Sequence, residues 1–173
     1  MSRTAEEIER KYIIAVPDDG EMRKMPDYGE SEITQIYLAS PDGETHRIRK
    51  RVYPDRVVYT ETKKVRIDGM SCEETEREIS GEEYLALTER RDESRTPIEK
   101  RRVIFRFGDQ LFEVDLYPGW KKTCILETEL RSRGERPPFP AFLRVIREVT
   151  GVKGYSNADM AKAFPKEDKI EEM

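Results

Sequence analysis

The sequence predicts an α+β protein in which an eight-stranded antiparallel sheet closes into a β-barrel and a few helices pack outside it. Segments in which charged and apolar residues alternate with a period of two dominate the chain, as expected for strands. The turn signals between these segments are short, so successive strands are expected to pair directly. With 173 residues the chain is long enough for one real core, and we expect a single domain over residues 1–173.

Five strands are predicted in the first half of the chain. The segment EIERKYIIAV starts at residue 7 and ends before Pro17 and the turn DDG. After a loop, SEITQIYLAS and THRIRKRVY flank the sequence PDG, which is a strong hairpin signal. DRVVYTETKKVRI follows the turn marked by Pro54 and Asp55. The fifth segment, CEETEREIS, fits a strand or a helix, because glutamate-rich runs favour helix.

Helices and three further strands are predicted in the second half. SGEEYLALTERR reads as a short helix capped by Ser80, with acids in its first turn and bases in its last. IEKRRVIFRF, QLFEVDLY and CILETELRS are strands separated by the turns GD and PGWKK. PPFPAFLRVIREVTG predicts a C-terminal helical segment from about residue 138 that stops at Gly151, and GYSNADMAKAF predicts another helix. The tail from about residue 165 is expected to be frayed.

Charge and composition argue against several classes of function. The 36 acidic and 32 basic residues leave a net charge of −4, so no general field favours nucleic acid or an anionic membrane. The chain has no apolar run of membrane-spanning length and no signal-peptide pattern at its start, which predicts a cytoplasmic protein without a membrane partner. Cys72 and Cys124 lie far apart with only His46 to join them, which argues against a zinc site and a disulfide framework.

Charged residues recur at every second position on most of the predicted strands. A single pair of this kind is most often a solvated strand face. A closed barrel with helices around it can invert the arrangement, so that apolar residues face outward and the charged face lines a wet lumen. The residues with this spacing are Glu7, Glu9 and Lys11; Arg47, Arg49 and Arg51; Glu76 and Glu78; Lys100 and Arg102; Glu113 and Asp115; and Glu127 and Glu129.

This inventory suits a site for a metal ion and a polyanion. Carboxylates are the ligands that Mg²⁺ accepts, and a row of guanidinium groups matches phosphate oxygens. A lumen lined by both would neutralise a triphosphate and aim a water or hydroxyl at one phosphorus. A second interpretation stays open, in which RIRKR and IEKRR bind nucleic acid or a phosphorylated partner without catalysis, although the acidic net charge disfavours nucleic acid.

The charged motifs, taken in order, resemble the CYTH domains, also called triphosphate tunnel metalloenzymes. EIERK resembles the E-x-E-x-K signature that opens these domains, and QIYL, with Gln35 and Tyr37, resembles a second-strand motif of the short bacterial members. YTETKK resembles the family's T-x-K, at Thr62 and Lys64, and GYSNADMA resembles its Y-x-N element. With the charged pairs between them, the matches cover nearly the whole chain in the family's order.

The resemblance implies an eight-stranded tunnel that binds triphosphate substrates and needs Mg²⁺ or Mn²⁺. The metal ligands that it implies are Glu7, Glu9, Glu127 and Glu129, with Glu76, Glu78, Glu113 and Asp115 as further acidic lining. The phosphate-binding residues that it implies are Lys11, Arg47, Arg49, Lys64, Lys100 and Arg102. The implied catalytic set is Glu7, Glu9, Lys11, Tyr37 and Lys64, in which Tyr37 and Lys64 would assist the leaving group.

Members of this family hydrolyse inorganic triphosphate or thiamine triphosphate, cyclise ATP, or remove the 5′ γ-phosphate of RNA. The QIYL form and the short chain predict a metal-dependent hydrolase that cleaves a phosphoanhydride bond of inorganic triphosphate, with the other triphosphates as alternatives. No base-recognising pocket is evident, although an aromatic residue such as Tyr28, Tyr53 or Trp120 could stack on a base, with packing or an exposed loop as the alternative for Trp120. Apolar stripes on the outside of the barrel would support a homodimer.

One position departs from the family pattern. Many members carry a basic residue two positions before the E-x-E of the fifth strand, where this chain has Glu74. The departure predicts the loss of one phosphate contact or a different substrate. Arg51 extends the row of the third strand beyond the usual pair, and a solvent-facing strand end and a substrate contact are both compatible with it.

Overall fold

The computed structural model describes residues 2–171, which form nine strands and four short helices. The strands are β1 (Ser2–Ala15), β2 (Gly29–Leu38), β3 (Glu44–Val52), β4 (Val57–Arg66), β5 (Ser71–Ile79), β6 (Ile98–Phe107), β7 (Gln110–Leu116), β8 (Thr123–Glu129) and β9 (Val145–Glu148). The helices are α1 (Asp19–Arg23), α2 (Gly81–Thr88), α3 (Asn157–Lys162) and α4 (Glu167–Glu171). In this part of the chain, no helix combines the length and the apolar character needed to cross a membrane.

Eight of the strands form a closed antiparallel barrel, which confirms the predicted fold class. The strand order is β5-β4-β3-β2-β6-β7-β8-β1, and β1 returns to pair with β5. The 14 residues of β1 close the ring because residues 2–8 pair with β5 while residues 9–15 pair with β8. The segment CEETEREIS is a strand rather than a helix, since both of its edges are hydrogen-bonded, one to β4 and one to β1.

The barrel carries an apolar face outward. Tyr12 and Ile14 of β1 belong to an outer core with Phe105 and Phe112 of the neighbouring hairpin, and α1 covers this core with Met22. A second outer cluster lies between the sheet and α2. Because the apolar residues of each strand are buried from outside, the alternating polar residues are left to face the lumen.

An apolar core fills one end of the lumen. Ile13, Tyr37 and Ile125 occupy lumen-facing strand positions and pack with Met160 of α3. Tyr117 belongs to the same core, and its hydroxyl donates a hydrogen bond to Asn157 Oδ1 at 2.7 Å. The C-terminal segment therefore bounds the charged part of the lumen at this end.

The helix predicted from about residue 138 is wrong, because the chain forms irregular structure there and then the strand β9. Pro137, Pro138 and Pro140 lack the amide that a helix needs and restrict the residues before them. Phe142 and Leu143 pack on the outer core instead. β9 then pairs with residues 12–14 of β1, so edge pairing overrides the helical pattern.

The prediction of a frayed tail from about residue 165 is also wrong for the described part of that tail. Glu167 begins α4, and its carboxylate accepts hydrogen bonds from the backbone amides of residues 121–123. Ile170 is 2% exposed and packs in the core that fills the end of the lumen. One acid and one apolar side chain thus hold the tail, while residues 172 and 173 lie outside the described residues.

Candidate active site

Three arginines on β3 form a row along one wall of the lumen. Arg47, Arg49 and Arg51 share a face because side chains alternate along a strand. Successive members of such a row are about 6.7 Å apart. The three lie opposite lumen-facing residues of β2.

The arginines of this row, which we call the β3 row, have neutral partners. Arg49 donates from Nε and Nη2 to Gln35 Oε1, at 3.0 and 2.5 Å. Arg51 donates from Nε to Ser31 Oγ at 2.8 Å. Arg47 Nε is buried and has no hydrogen-bond partner among residues 2–171. In that range no carboxylate oxygen lies within 4.0 Å of a nitrogen of the β3 row, so none of its guanidinium groups is directly ion-paired.

The electrostatics of Arg49 show the consequence. Burial first, and then repulsion from Arg47 and Arg102, lower the pKa of Arg49 to about 9. A lowered arginine pKa means that the folded state disfavours the positive charge. An anion bound beside the β3 row would compensate that charge, so the row is suited to hold one.

The two cations of β6 instead form direct ion pairs with carboxylates of β7, although burial and then Arg102 still lower the pKa of Lys100 to about 7. Lys100 Nζ lies 2.7 Å from Asp115 Oδ2, and both side chains are fully buried. Arg102 donates to the same carboxylate at 2.8 and 2.9 Å and lies 2.5 Å from Glu113. Burial alone would raise the pKa of Asp115, but the two cations hold that pKa well below its usual range. The structure places Asp115 as their counter-ion.

Glu9 lies in an excess of negative charge on the β1 and β8 wall. Burial first, and then the charge of Glu127, raise the pKa of Glu9 to about 7. Lys11 Nζ lies 3.2 Å from Glu127 Oε1 and donates to the carbonyl of Tyr155 at 3.2 Å. Burial, the largest single effect, raises the pKa of Glu127, but Lys11, Arg102 and Lys100 together outweigh it and lower that pKa to about 2. Glu129 is the register partner of Glu9 and is exposed.

The carboxylates of this wall fit a hard divalent cation by their chemistry. Glu9 has a raised pKa because it lacks a sufficient counter-charge, and an oxygen-seeking cation would supply one. Within residues 2–171, no three acidic, histidine or cysteine side chains stand close enough to hold an ion by themselves. Mg²⁺ commonly takes only one or two carboxylates and completes its shell with water and phosphate oxygens. Glu9 and Glu127 are therefore the residues best placed to hold it.

Lys64 is surrounded by acids. Its Nζ lies 3.0 Å from Glu7 Oε2 and 2.9 Å from Glu74 Oε2. Burial and Arg47 oppose the charge of Lys64, but the surrounding carboxylates outweigh both and raise its pKa. At Glu7, burial is the larger effect and raises the pKa of the carboxyl against the attraction of Lys64. Glu74 thus forms an ion pair with Lys64, one of the cations that line the lumen.

The remaining predicted residues are Glu76, Glu78 and Tyr37, and Tyr37 is the register partner of Arg47. Glu76 is half-buried and accepts a hydrogen bond from Thr62 Oγ1 at 2.9 Å, whereas Glu78 is exposed. The Tyr37 hydroxyl accepts from Gln35 Nε2 at 3.5 Å and lies in the apolar core. Among the described residues, the Tyr37 hydroxyl and the Lys64 ammonium make no hydrogen bond to each other. The predicted pairing of Tyr37 with Lys64 stays a prediction.

Three partners of the site are absent from the predicted set. Gln35 and Ser31 hold Arg49 and Arg51, and the carbonyl of Tyr155 holds Lys11. The period of two on β2 predicts that Ser31 and Gln35 face the lumen, but these side chains are uncharged and so are not part of the charged pattern. A backbone carbonyl has no sequence signal at all.

Comparisons with known proteins agree with this geometry. No protein-family model matches the chain. A curated relative, the inorganic triphosphatase of Nitrosomonas europaea, is 31% identical over 161 residues, which are 92% of this chain and 99% of the relative. A crystal structure of an inorganic triphosphatase matches with a TM-score of 0.57 at 28% identity, covering 92% of this chain and 96% of that chain. A conserved hypothetical protein from Pyrococcus furiosus shares the fold, with a TM-score of 0.57 at 22% identity, covering 74% and 80%.

The identity to the curated relative extends over almost the full length of both chains. The closed barrel and the ordered charged motifs on its strands are those implied by the sequence resemblance. The chain therefore belongs to the CYTH family, the triphosphate tunnel metalloenzymes.

Proposed function

We propose that this protein hydrolyses inorganic triphosphate in the lumen of its barrel by cleaving a phosphoanhydride bond. The observation that carries the proposal is the β3 row, whose three buried or half-buried guanidinium groups lack carboxylate partners among the described residues. A linear polyanion would supply the missing negative charge along the row. The name of the Nitrosomonas europaea relative, inorganic triphosphatase, supports the same activity.

The β3 row would bind and orient the substrate. Guanidinium groups bind phosphate oxygens through paired N–H donors and stay charged through the reaction. The amide oxygen of Gln35 fixes two donors of Arg49, which limits the rotation of that side chain. Fixed donors lower the reorganisation needed as charge develops on the transferred phosphoryl group.

Lys11 and the opposite acids would form the second half of the site. Lys11 is held by Glu127 and by the carbonyl of Tyr155, so its remaining donor capacity is directed from a fixed position. Glu9 and Glu127, with Glu7 and Glu129 near them on β1 and β8, would hold Mg²⁺ or Mn²⁺. A bound divalent ion supplies Lewis-acid stabilisation of charge on the phosphate oxygens.

The aromatic residues considered for base stacking support an inorganic substrate over a nucleotide. Tyr53 has Arg51 and Arg56 at 4.7 and 4.2 Å from its ring centre, so cations occupy its environment. Trp120 is 5% exposed and packs in the core that fills the end of the lumen. Tyr28 packs against the outer core. Trp120 and Tyr28 therefore serve in packing, and Tyr53 already contacts two guanidinium groups.

The test is phosphate release from inorganic triphosphate, ATP and thiamine triphosphate, each with Mg²⁺, with Mn²⁺ and with a chelator. We expect metal-dependent release that is fastest from inorganic triphosphate. Faster release from ATP would instead assign a nucleotide substrate, and no release from a folded protein would contradict hydrolysis. The homodimer and the cytoplasmic location stay predictions, which sedimentation and cell fractionation would check.

A further inference from the structure

Glu74 places a negative charge at one corner of the lumen. Lys64 is its register partner across β4 and β5, so the sheet itself sets their pairing. The same ammonium also contacts Glu7, at 3.0 Å, besides Glu74 at 2.9 Å. One cation therefore faces two carboxylates at this corner, and Lys64 lowers the pKa of Glu74 against the effect of burial, so Glu74 keeps its negative charge.

The negative corner lies beside the β3 row. Arg47 is the register partner of Thr62 on β4, and Lys64 lies two residues farther along β4 on the same face. Arg47 is therefore the member of the β3 row nearest to the corner. Beyond Arg47 the lumen wall therefore changes from arginines without a direct carboxylate partner to a lysine paired with two carboxylates. An anion that extends along the row past Arg47 meets the carboxylate of Glu74.

We propose that Glu74 limits the length of the polyphosphate that the lumen accepts. The inference rests on the proposed function and names the residue that sets its substrate class. Glu74 acts in two ways, since it repels a further phosphate group and holds Lys64 in an internal ion pair. Removing its charge would relieve the repulsion and leave Lys64 with Glu7 alone, so a longer chain would gain a cation contact.

The experiment measures binding without turnover. Isothermal titration with inorganic triphosphate and inorganic tetraphosphate, in a chelator, compares the wild type with Glu74→Gln. We expect the variant to bind tetraphosphate about tenfold more tightly and triphosphate at most about threefold more tightly, because only the longer chain reaches the corner. Glu73→Gln is the matched control, because Glu73 is exposed on the opposite face of the same strand and both ligands should bind it as they bind the wild type.

Two further variants separate the causes. If Glu74→Gln does not fold, Glu74→Asp takes its place. This variant keeps the negative charge but shortens the side chain by one methylene and so weakens the ion pair with Lys64. It should shift the preference toward tetraphosphate in the same direction. In the double variant Glu74→Gln, Lys64→Gln, most of the gain for tetraphosphate should disappear.

If Glu74→Gln changes the affinities for both ligands equally, or changes neither, the inference is overturned. Binding of triphosphate by the wild type would still support the proposed function in that case. Full retention of the gain in the double variant would overturn the role given to Lys64. A wild type that binds neither ligand would contradict the proposed function and this inference together.

Discussion

Arg49 and Gln35 form a buried pair in which an amide oxygen stands where a buried arginine usually has a carboxylate. Two donors of the guanidinium reach that oxygen, at 3.0 and 2.5 Å, and Arg49 is only 9% exposed. The pair orients the guanidinium but does not neutralise it. The protein therefore keeps a positive charge available for an anion at the expense of its own stability.

Replacing Arg49 by methionine should raise the stability of the ligand-free protein. The pKa of Arg49 is lowered to about 9 by burial and by neighbouring cations, so its charge is unfavourable in the folded state. We expect the free energy of unfolding to rise by about 1 kcal/mol, after allowing for the lost hydrogen bonds. Urea unfolding in phosphate-free buffer measures the change.

The control is Arg77→Met, since Arg77 pairs with Glu61 and Glu83 on the other face of the sheet. That variant should be no more stable than the wild type and should keep its stabilisation by inorganic triphosphate. An Arg49→Met protein that is less stable than the wild type, yet equally stabilised by triphosphate, would contradict the account.

Glu9 should make the metal-free protein less stable as pH rises. Its pKa is raised from 4.5 to about 7, by burial and then by Glu127, so the folded state binds the proton more tightly than the unfolded state. The stabilisation is present below about pH 4.5 and is lost as pH rises toward about 7. Between about pH 5 and 7.5, the wild type should lose on the order of 2 kcal/mol relative to Glu9→Gln.

Unfolding of both proteins in a chelator at several pH values measures this difference. Added Mg²⁺ should reduce the loss in the wild type, because a cation restores the missing counter-charge. A pH-independent difference between the two proteins would show that Glu9 is not the group responsible.

Replacing Asp115 by asparagine should strongly destabilise the barrel. Asp115 is the shared partner of Lys100 and Arg102, and its loss leaves two buried cations without that charge. We expect a loss of about 3–5 kcal/mol, in the range measured when one partner of a buried ion pair is removed. Glu113→Gln, at a position where the side chain is 34% exposed, should cost less. Equal effects of the two changes on chemical unfolding would contradict the assigned network.

The C-terminal tail should contribute to stability through Ile170. Ile170 is 2% exposed in the core that fills the end of the lumen. Ile170→Ala should cost about 2–4 kcal/mol, as for other large-to-small changes in a core. Lys169→Ala, one residue away and exposed, should have little effect on the melting temperature. A melting temperature that is unchanged by Ile170→Ala would mean that the tail is not part of the core.

The barrel was predictable because its signal is repeated on every strand. Alternation places Glu9 and Lys11 on one face and Tyr12 and Ile14 on the other, and closure decides which face is inside. The helix predicted from about residue 138 does not form, because three prolines restrict the backbone at its start and residues 145–148 pair with the edge of β1 instead. The polar composition of the tail PKEDKIEEM predicts fraying, but its isoleucine, Ile170, is buried in the core and anchors the tail.

The residues that line the lumen were predictable from the sequence, but which of the charged side chains have a counter-ion was not. A sequence shows that Lys64 and Arg49 face inward, yet it does not show that Lys64 meets Glu7 across 57 residues of chain while Arg49 meets a neutral amide. Those pairings depend on strand register and barrel closure, which are long-range properties. The difference in partners separates Arg49, which has no carboxylate partner, from Lys64, which is ion-paired with two carboxylates.

Steady-state phosphate release from inorganic triphosphate in Mg²⁺, compared for wild type, Arg49→Met and Arg77→Met, tests whether the β3 row binds the substrate. We expect release by the wild type and by Arg77→Met, and a loss of about 100-fold or more in kcat/KM for Arg49→Met, because a buried charge contact to the substrate is removed. A folded Arg49→Met protein that releases phosphate at the wild-type rate would contradict the claim that the β3 row binds the substrate.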